Sequence, residues 1–222
     1  MNNKITFADV KKNEEIRTFI QHADISLEAL GFTEHSFAHS TKCAELAGAI
    51  LKELGYSDNE VELVKIAAYM HDIGNVVNRT DHAQSGALIA FRLLEKMGMP
   101  AKDLATIITA IGNHDERTAF PVNAVAAAVI LADKTDVRRS RVRCEAMICT
   151  DIHDRVNFAV EKNDLVLDKE NRVITAFLTI DTNISPVMDY FEIFLDRMLL
   201  CRKAATFLKL RFQLNINGKN LL

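Results

Sequence analysis

Histidine and aspartate residues that could bind metal are concentrated in one stretch of this chain, from His35 to Asp136. Five of the seven histidines fall in it, each beside or opposite a carboxylate and at or near the end of a predicted helix. Polar groups of this kind are costly to hold near an apolar core unless something pairs them. Imidazole and carboxylate are ligands of first-row divalent ions, so the pattern predicts a metal site. The candidate ligands are His39, His71, Asp72, His82, His114 and Asp133.

Each piece of this pattern is weak by itself, and its strength lies in the combination. The dipeptides His71-Asp72 and His114-Asp115 occur by chance in many proteins. His35 and His39 are four residues apart and project from one face of a helix, which is also a common accident. Asp133, however, ends a nearly all-apolar helix that must be buried, where a carboxylate needs a partner. Chance is a poor explanation for five such groups at helix ends, so a common metal site is favoured. The five groups are His39, His71-Asp72, His82, His114 and Asp133.

Amphipathic helices with short connectors are predicted to position these residues. Apolar residues recur at helical spacing, and glycines end several of the segments. Capping boxes at Ser57–Glu60 and Asp81–Gln84 predict two of the helix starts. The predicted helices cover about residues 9–30, 34–54, 58–71, 82–97, 102–113, 122–133 and 141–161. The repeated element predicts a helical bundle.

The pattern changes after Asn163. Residues 165–181 resemble a β-hairpin around a turn at Asp168–Asn171, and Ser185-Pro186 opens a helix to about Ala205. Residues 208–216 alternate strictly between apolar and polar, which predicts a strand of an antiparallel sheet. The expected fold class is therefore mainly α. We expect a helical metal-binding domain over residues 1–162, followed by a closely docked α+β (ββαβ) module over residues 163–222.

Composition excludes several classes of protein. Apolar residues make up 49% of the 222 residues, as in an ordinary globular protein. The net charge is −3, so the protein has no overall positive charge that would attract double-stranded nucleic acid or an anionic membrane. The four cysteines form no C-x-x-C pair, which predicts reduced thiols and a cytoplasmic location. The longest uncharged run, Thr118 to Ala132, is too short to span a membrane.

The ordered set of histidines and aspartates resembles the HD superfamily of metal-dependent phosphohydrolases, whose pattern is H…HD…H…H…D. The resemblance covers about residues 35–136, and Gly74 follows the His71-Asp72 pair as it usually does in that family. It implies an α-helical bundle with the metal site between helices. It implies a first metal site formed by His39, His71, Asp72 and Asp133. Asp72 would bridge to a second ion, whose site His82 and His114 would complete.

This resemblance implies hydrolysis of a phosphate ester by water that two divalent ions activate. The ligand set suits Mn²⁺, Fe²⁺ or Co²⁺, and Mg²⁺ or Zn²⁺ is compatible with it. The catalytic residues would include Asp72. Position qualifies Lys134, His35 and Asp115 equally as the general acid.

Cations near the site are candidates to hold the substrate phosphate. Arg79 and Lys134 lie next to predicted ligands in the sequence, and Arg138 and Arg141 follow within a turn or two. For the distal arginines a solvated basic helix face is an equal alternative. His35 is a further candidate, either as a ligand or as a phosphate contact.

The expected function is a phosphohydrolase acting on a nucleotide or a similar small phosphate ester. Two alternatives stay open at this point. One is a di-iron oxygenase of the same fold, and the other is a regulatory module that senses a nucleotide without turnover. The amphipathic final strand could also extend a neighbour's sheet and give a homodimer, although packing onto its own helix explains it as well.

Overall fold

The computed structural model describes residues 4–144 and 151–221, and this part of the chain is mainly helical. Its helices are α1 (Phe7–Lys12), α2 (Glu14–Ala29), α3 (Phe37–Glu53), α4 (Asp58–Met70), α5 (His82–Lys96), α6 (Ala101–Gly112), α7 (Ala124–Lys134), α8 (Ile152–Ala159) and α9 (Val187–Phe207). Its strands are β1 (Val160–Asp168), β2 (Val173–Ile180), β3 (Arg211–Ile216) and β4 (Lys219–Asn220). The predicted fold class, a helical bundle followed by a small α+β module, is confirmed.

Helix α7 lies at the centre of the molecule. Every residue from Val125 to Lys134 is buried, because α7 packs against α3, α4 and α6 in the bundle and against α9 of the module. A helix that is apolar all round has no face to present to water. The buried residues of bundle and module form one continuous core. The predicted domain boundary at residue 162 stays a prediction.

Local chemistry explains most helix starts. The capping box at Ser57 and Glu60 is confirmed, since each side chain accepts a hydrogen bond from the other's backbone N–H, at 3.3 and 3.0 Å. The box predicted at Asp81 and Gln84 is wrong, because Asp81 is left-handed (φ 57°) and its side chain caps nothing. Ser36 caps α3, which therefore begins at Phe37 and not at the predicted residue 34.

Two predicted helices differ from the structure. Residues 9–30 fall into α1 and α2, because Asn13 is extended and its side chain caps α2 by accepting from Ile16 N at 3.0 Å. The helix predicted over 141–161 is wrong at both ends. Arg139–Arg141 is a short 3-10 turn, and the chain is already in strand β1 at Val160. Residues 145–150 of that prediction lie outside the described residues.

The sheet has the strand order β1-β2-β3-β4. The predicted hairpin is confirmed as the antiparallel β1–β2 pair. The prediction of an antiparallel final strand is wrong for its main partner, because β3 pairs parallel to β2, with Ala176 opposite Leu214. Helix α9 forms the crossover between these strands and returns the chain to the same end of the sheet. The short β4 was not predicted.

The described cysteines carry free thiols: Cys43 and Cys201 are buried and Cys144 is exposed, whereas Cys149 lies outside the described residues. In the described part of the chain, no helix combines the length and the apolar character that a membrane crossing requires.

Candidate metal centre

The six candidate ligands meet at one buried point between the helices. His39 lies on α3, His71 and Asp72 follow α4, and His82 is the first residue of α5. His114 follows α6, and Asp133 lies near the end of α7. All six are less than a tenth exposed. Their ligand atoms form overlapping groups of three, within which all atoms lie within 4.8 Å of one another.

The cluster has two halves. In the first, His39 Nε2 lies 3.3 Å from His71 Nε2, and Asp133 Oδ1 lies 3.5 and 3.6 Å from these two atoms. In the second half, His82 Nε2 lies 3.1 Å from His114 Nε2. Each half therefore brings together imidazole nitrogens from two different helices or helix ends.

Asp72 lies between the halves and turns one carboxylate oxygen to each. Its Oδ2 is 3.1 Å from His71 Nε2 and 3.7 Å from His39 Nε2. Its Oδ1 is 3.4 Å from His82 Nε2 and 3.7 Å from His114 Nε2. Asn75 holds this orientation by donating its side-chain amide to Oδ1 at 3.0 Å. A carboxylate so placed can share two cations between its oxygens.

Backbone carbonyls fix the tautomers of three of the histidines. His71, His82 and His114 each direct Nδ1 at the carbonyl three residues earlier, at 2.7, 3.0 and 2.6 Å. A carbonyl oxygen only accepts, so Nδ1 must carry the proton. In the neutral ring, Nε2 then holds a lone pair that faces the centre of the cluster. Outer partners of this kind orient metal-binding histidines.

The residues fit a divalent metal site. Two lone pairs that face each other at 3.1 or 3.3 Å in a buried site repel unless a proton or a cation lies between them. Burial alone lowers the pKa of His71, but the Asp72 and Asp133 carboxylates raise it to about 10. The attraction that would draw a proton there would also draw a metal ion, so proton and metal compete for the same lone pair.

Cys43 lies at the edge of the cluster, where its Sγ is within 4.8 Å of ligand atoms of His39 and Asp133. Its Sγ is 3.7 Å from His39 and also 3.7 Å from the carbonyl of Ala132. Burial, together with Asp136 and Asp133, raises the pKa of the thiol well above its ordinary value. Metal binding requires the thiolate, so Cys43 would have to lose its proton to serve as a ligand.

Gly74 brings the His71-Asp72 turn against the start of α5. A Cβ at this position would lie 2.0 Å from the backbone oxygen of His82 and 2.4 Å from Gly86 N. No side chain fits there, and Gly86 provides the matching small face on α5. This close approach places His82 opposite Asp72.

Gly74→Ala is expected to lower the free energy of unfolding by about 3 kcal/mol, because backbone atoms must separate to admit the methyl group. Gly112→Ala is the matched control. A Cβ there meets Ala87 Cβ at an ordinary 3.8 Å, so stability should stay equal or rise slightly. Urea unfolding of both variants measures the effect, and equal stabilities would contradict the packing argument.

Lys134 and Asp115 are both buried but differ in their contacts. Lys134 Nζ lies 2.7 Å from Asp133 Oδ2 and 2.7 Å from Glu116 Oε2. It is thus held between two carboxylates, beside a candidate ligand. Asp115 accepts from Arg117 at 3.1 Å and lies 3.8 Å from His82 Nδ1.

The candidate phosphate contacts divide into two groups. Arg79 Nη1 lies 3.8 Å from Asp72 Oδ1, and His35 Nε2 lies 4.0 Å from Asp72 Oδ2. Arg138 is paired with carboxylates behind the cluster, and Arg141 donates to backbone carbonyls at 2.8 and 2.9 Å. His35, Arg79 and Arg141 line a cavity of about 440 Å³ beside the cluster.

Three residues around the cluster were not among the predicted site residues: Asp136, Glu116 and Arg197. Asp136 accepts from His39 Nδ1 at 2.8 Å, and Arg197 on α9 lies 3.3 Å from Glu116 Oε1. The spacing of Asp136, one helical turn after Asp133, is a signal that could have found it. Nothing in the sequence pairs Glu116 with a helix 81 residues away.

Asp136→Asn is expected to weaken metal binding about 10- to 100-fold, because the amide is a poorer acceptor for His39 Nδ1–H. Burial raises the pKa of Asp136, but the hydrogen bond from His39 and the charges of Arg141 and Lys42 together hold it well below its ordinary value, so the group is ionised in the native protein. Competition with a metal-binding dye measures the affinity. An unchanged affinity would show that the orientation of His39 does not depend on Asp136.

Comparisons with known proteins identify the domain that carries this cluster. The family model described as HD domain matches residues 36–138. Uncharacterized protein MJ1020 of Methanocaldococcus jannaschii is 26% identical over 187 residues, which cover 73% of this chain and 71% of that protein. No solved structure matches the chain. The match to the HD domain family spans the cluster from His39 to Asp136, and the histidines and aspartates of the cluster fit an HD-type metal site.

Proposed function

We propose that this protein is a metal-dependent phosphohydrolase that cleaves a phosphate ester of a nucleotide or a similar small molecule. The observation that carries the proposal is Asp72, with one carboxylate oxygen turned to each half of the cluster. His39, His71 and Asp133 would hold one ion and His82 and His114 the other. Bound together, two such ions lower the pKa of water to about 7 and offset the charge that builds up on a phosphoryl group.

Arg79 is the residue best placed to bind the phosphoryl oxygens. It lies 3.8 Å from Asp72, it is partly exposed, and it lines the adjoining cavity. Its guanidinium can donate two parallel hydrogen bonds to a phosphate, which fixes the orientation of the group as well as its position.

His35 is the group through which a proton would pass between the site and the cavity. Its Nδ1 lies 2.6 Å from the carbonyl of Thr33, so Nε2 carries the lone pair, and Nε2 is 4.0 Å from Asp72. Burial and the charge of Arg141 lower its pKa well below the ordinary value, which keeps the ring neutral at physiological pH. A neutral imidazole in this place can accept a proton and release it to the leaving oxygen or to solvent.

Lys134 supports the site and would not serve as its acid. Burial opposes the charge, but Asp133 and Glu116 raise the pKa of Lys134 above its ordinary value. A lysine held between two carboxylates retains its proton, so its effect is to fix Asp133.

A panel of phosphate esters tests the proposal. The protein is purified without added metal, analysed for bound elements, and assayed with Mn²⁺ or Co²⁺ on nucleoside monophosphates, phosphodiesters and dinucleoside polyphosphates. Phosphate or nucleotide release that a chelator abolishes is the expected result. No release from any ester by metal-loaded protein would overturn the proposal, and substrate-dependent O₂ uptake by iron-loaded protein would replace it with an oxygenase.

A further inference from the structure

The cavity beside Asp72 is larger than a phosphate group, and much of its wall lies outside the HD domain match. Its volume of about 440 Å³ lies within the range of roughly 300–1,000 Å³ seen for small-molecule sites. His35 and Arg79 line the end nearest Asp72. The α2–α3 connector and helices α8 and α9 supply most of the remaining wall. A phosphoryl group near Asp72 therefore leaves room for an organic group against this outer wall.

Phe32, in the α2–α3 connector, gives the outer wall an aromatic surface. Phe32 lines the cavity, and 40% of its surface is accessible to solvent. The guanidinium of Arg79 lies over its ring, 5.6 Å from the centroid. A planar aromatic ring stacked on Phe32 would remove this surface from water, and it would do so beside the residue that binds the phosphoryl oxygens.

Asp154, in the first turn of α8, gives the outer wall an acceptor. It is 8% exposed and lines the same cavity. Within residues 4–144 and 151–221, no group donates a hydrogen bond to its carboxylate. Its backbone N–H is used in the cap of α8, by Asp151. A ligand that carries N–H groups can donate to this carboxylate from within the cavity.

We propose that Phe32 and Asp154 bind the organic part of the substrate, and that this part is an aromatic ring with N–H donors, such as a nucleobase. The inference rests on the proposed function for the position of the phosphoryl group. Phe32 would stack on the ring and Asp154 would accept from its edge. A ring edge with two adjacent N–H donors, as in guanine, would use both carboxylate oxygens, whereas the single amino group of adenine would use one.

Binding to metal-free protein tests this without turnover. Calorimetry of the full chain gives dissociation constants for guanosine 5′-monophosphate, adenosine 5′-monophosphate, ribose 5-phosphate and inorganic phosphate. We expect at least one nucleotide to bind about tenfold or more tightly than ribose 5-phosphate. The ratio of the two nucleotides shows whether one or two N–H donors are recognised. Equal affinity for ribose 5-phosphate and both nucleotides would overturn the inference.

Variants assign the preference to the two residues. Asp154→Ala and Phe32→Ala should each bring the dissociation constant of the nucleotide to within about threefold of that of ribose 5-phosphate. The dissociation constant of ribose 5-phosphate should stay unchanged. Asp196→Ala is the control, because Asp196 is an exposed carboxylate on α9 outside the cavity. Thermal melting checks that each variant is folded. Equal weakening of all four ligands would contradict the inference.

The outcomes separate the two proposals. Nucleotide binding that depends on Asp154, with no phosphate release from any ester by metal-loaded protein, would leave the inference standing and remove the proposed function. If the protein releases phosphate from sugar phosphates and nucleotides at the same efficiency, and Asp154→Ala does not change this, the proposed function stands and the inference about Phe32 and Asp154 falls.

Discussion

Asp72→Ala is expected to abolish phosphate release and to reduce bound metal from two ions to at most one. Its two oxygens face opposite halves of the cluster, Oδ2 toward His71 and Oδ1 toward His82. Substitution of a residue that only supports a metal ligand lowers metal affinity or activity about 10- to 100-fold. Removal of the shared ligand itself should therefore lower the activity more than about a hundredfold.

Two measurements on the same samples check this result. Elemental analysis after dialysis gives the metal stoichiometry, and phosphate release gives the activity. Asp164→Ala is the control, because Asp164 is an exposed carboxylate on β1. Full activity with one bound ion in Asp72→Ala would disprove a function that needs both ions. Retention of two ions would show that Asp72 is not the shared ligand.

The sequence predicts well which residues meet at the cluster, because the constraints on them are local. Each ligand lies at a helix end that a glycine, a cap or an apolar run already marks, as with Gly74 after His71-Asp72. A buried Asp133 on an apolar helix needs a partner whatever the details of packing. Such rules identify which residues meet, even where they misplace the cap of a helix.

The features that the sequence does not predict depend on distant contacts. The direction of β3 follows from the path of α9, and residue alternation is the same for parallel and antiparallel pairing. The contact between Glu116 and Arg197 joins the HD domain to α9 across 81 residues. Phe32 and Asp154 share a cavity only because α8 returns to the α2–α3 connector. None of these contacts has a short-range signal.

Lys134→Met is expected to lower the free energy of unfolding of the metal-free protein by about 3–5 kcal/mol, the cost of leaving a buried charge without its partner. Methionine keeps the length and the apolar stem of lysine but removes the charge. Asp133 then loses the cation at 2.7 Å, and Glu116 retains Arg197, at 3.3 Å. For a chain of this size, the melting temperature should fall by about 6–20 °C.

Lys96→Met is the matched control for this substitution, since Lys96 also forms a contact of 2.7 Å, with Glu15, but on the surface. Water screens that pair, so its loss should cost less than about 1 kcal/mol. Added Mn²⁺ should restore part of the stability of Lys134→Met, because a cation at the cluster neutralises Asp133 when Lys134 cannot. Similar melting temperatures for the two variants would show that Asp133 and Glu116 do not depend on Lys134. If Mn²⁺ does not stabilise Lys134→Met, Lys134 stabilises the protein through its contact with Glu116 and not through Asp133 at the metal centre.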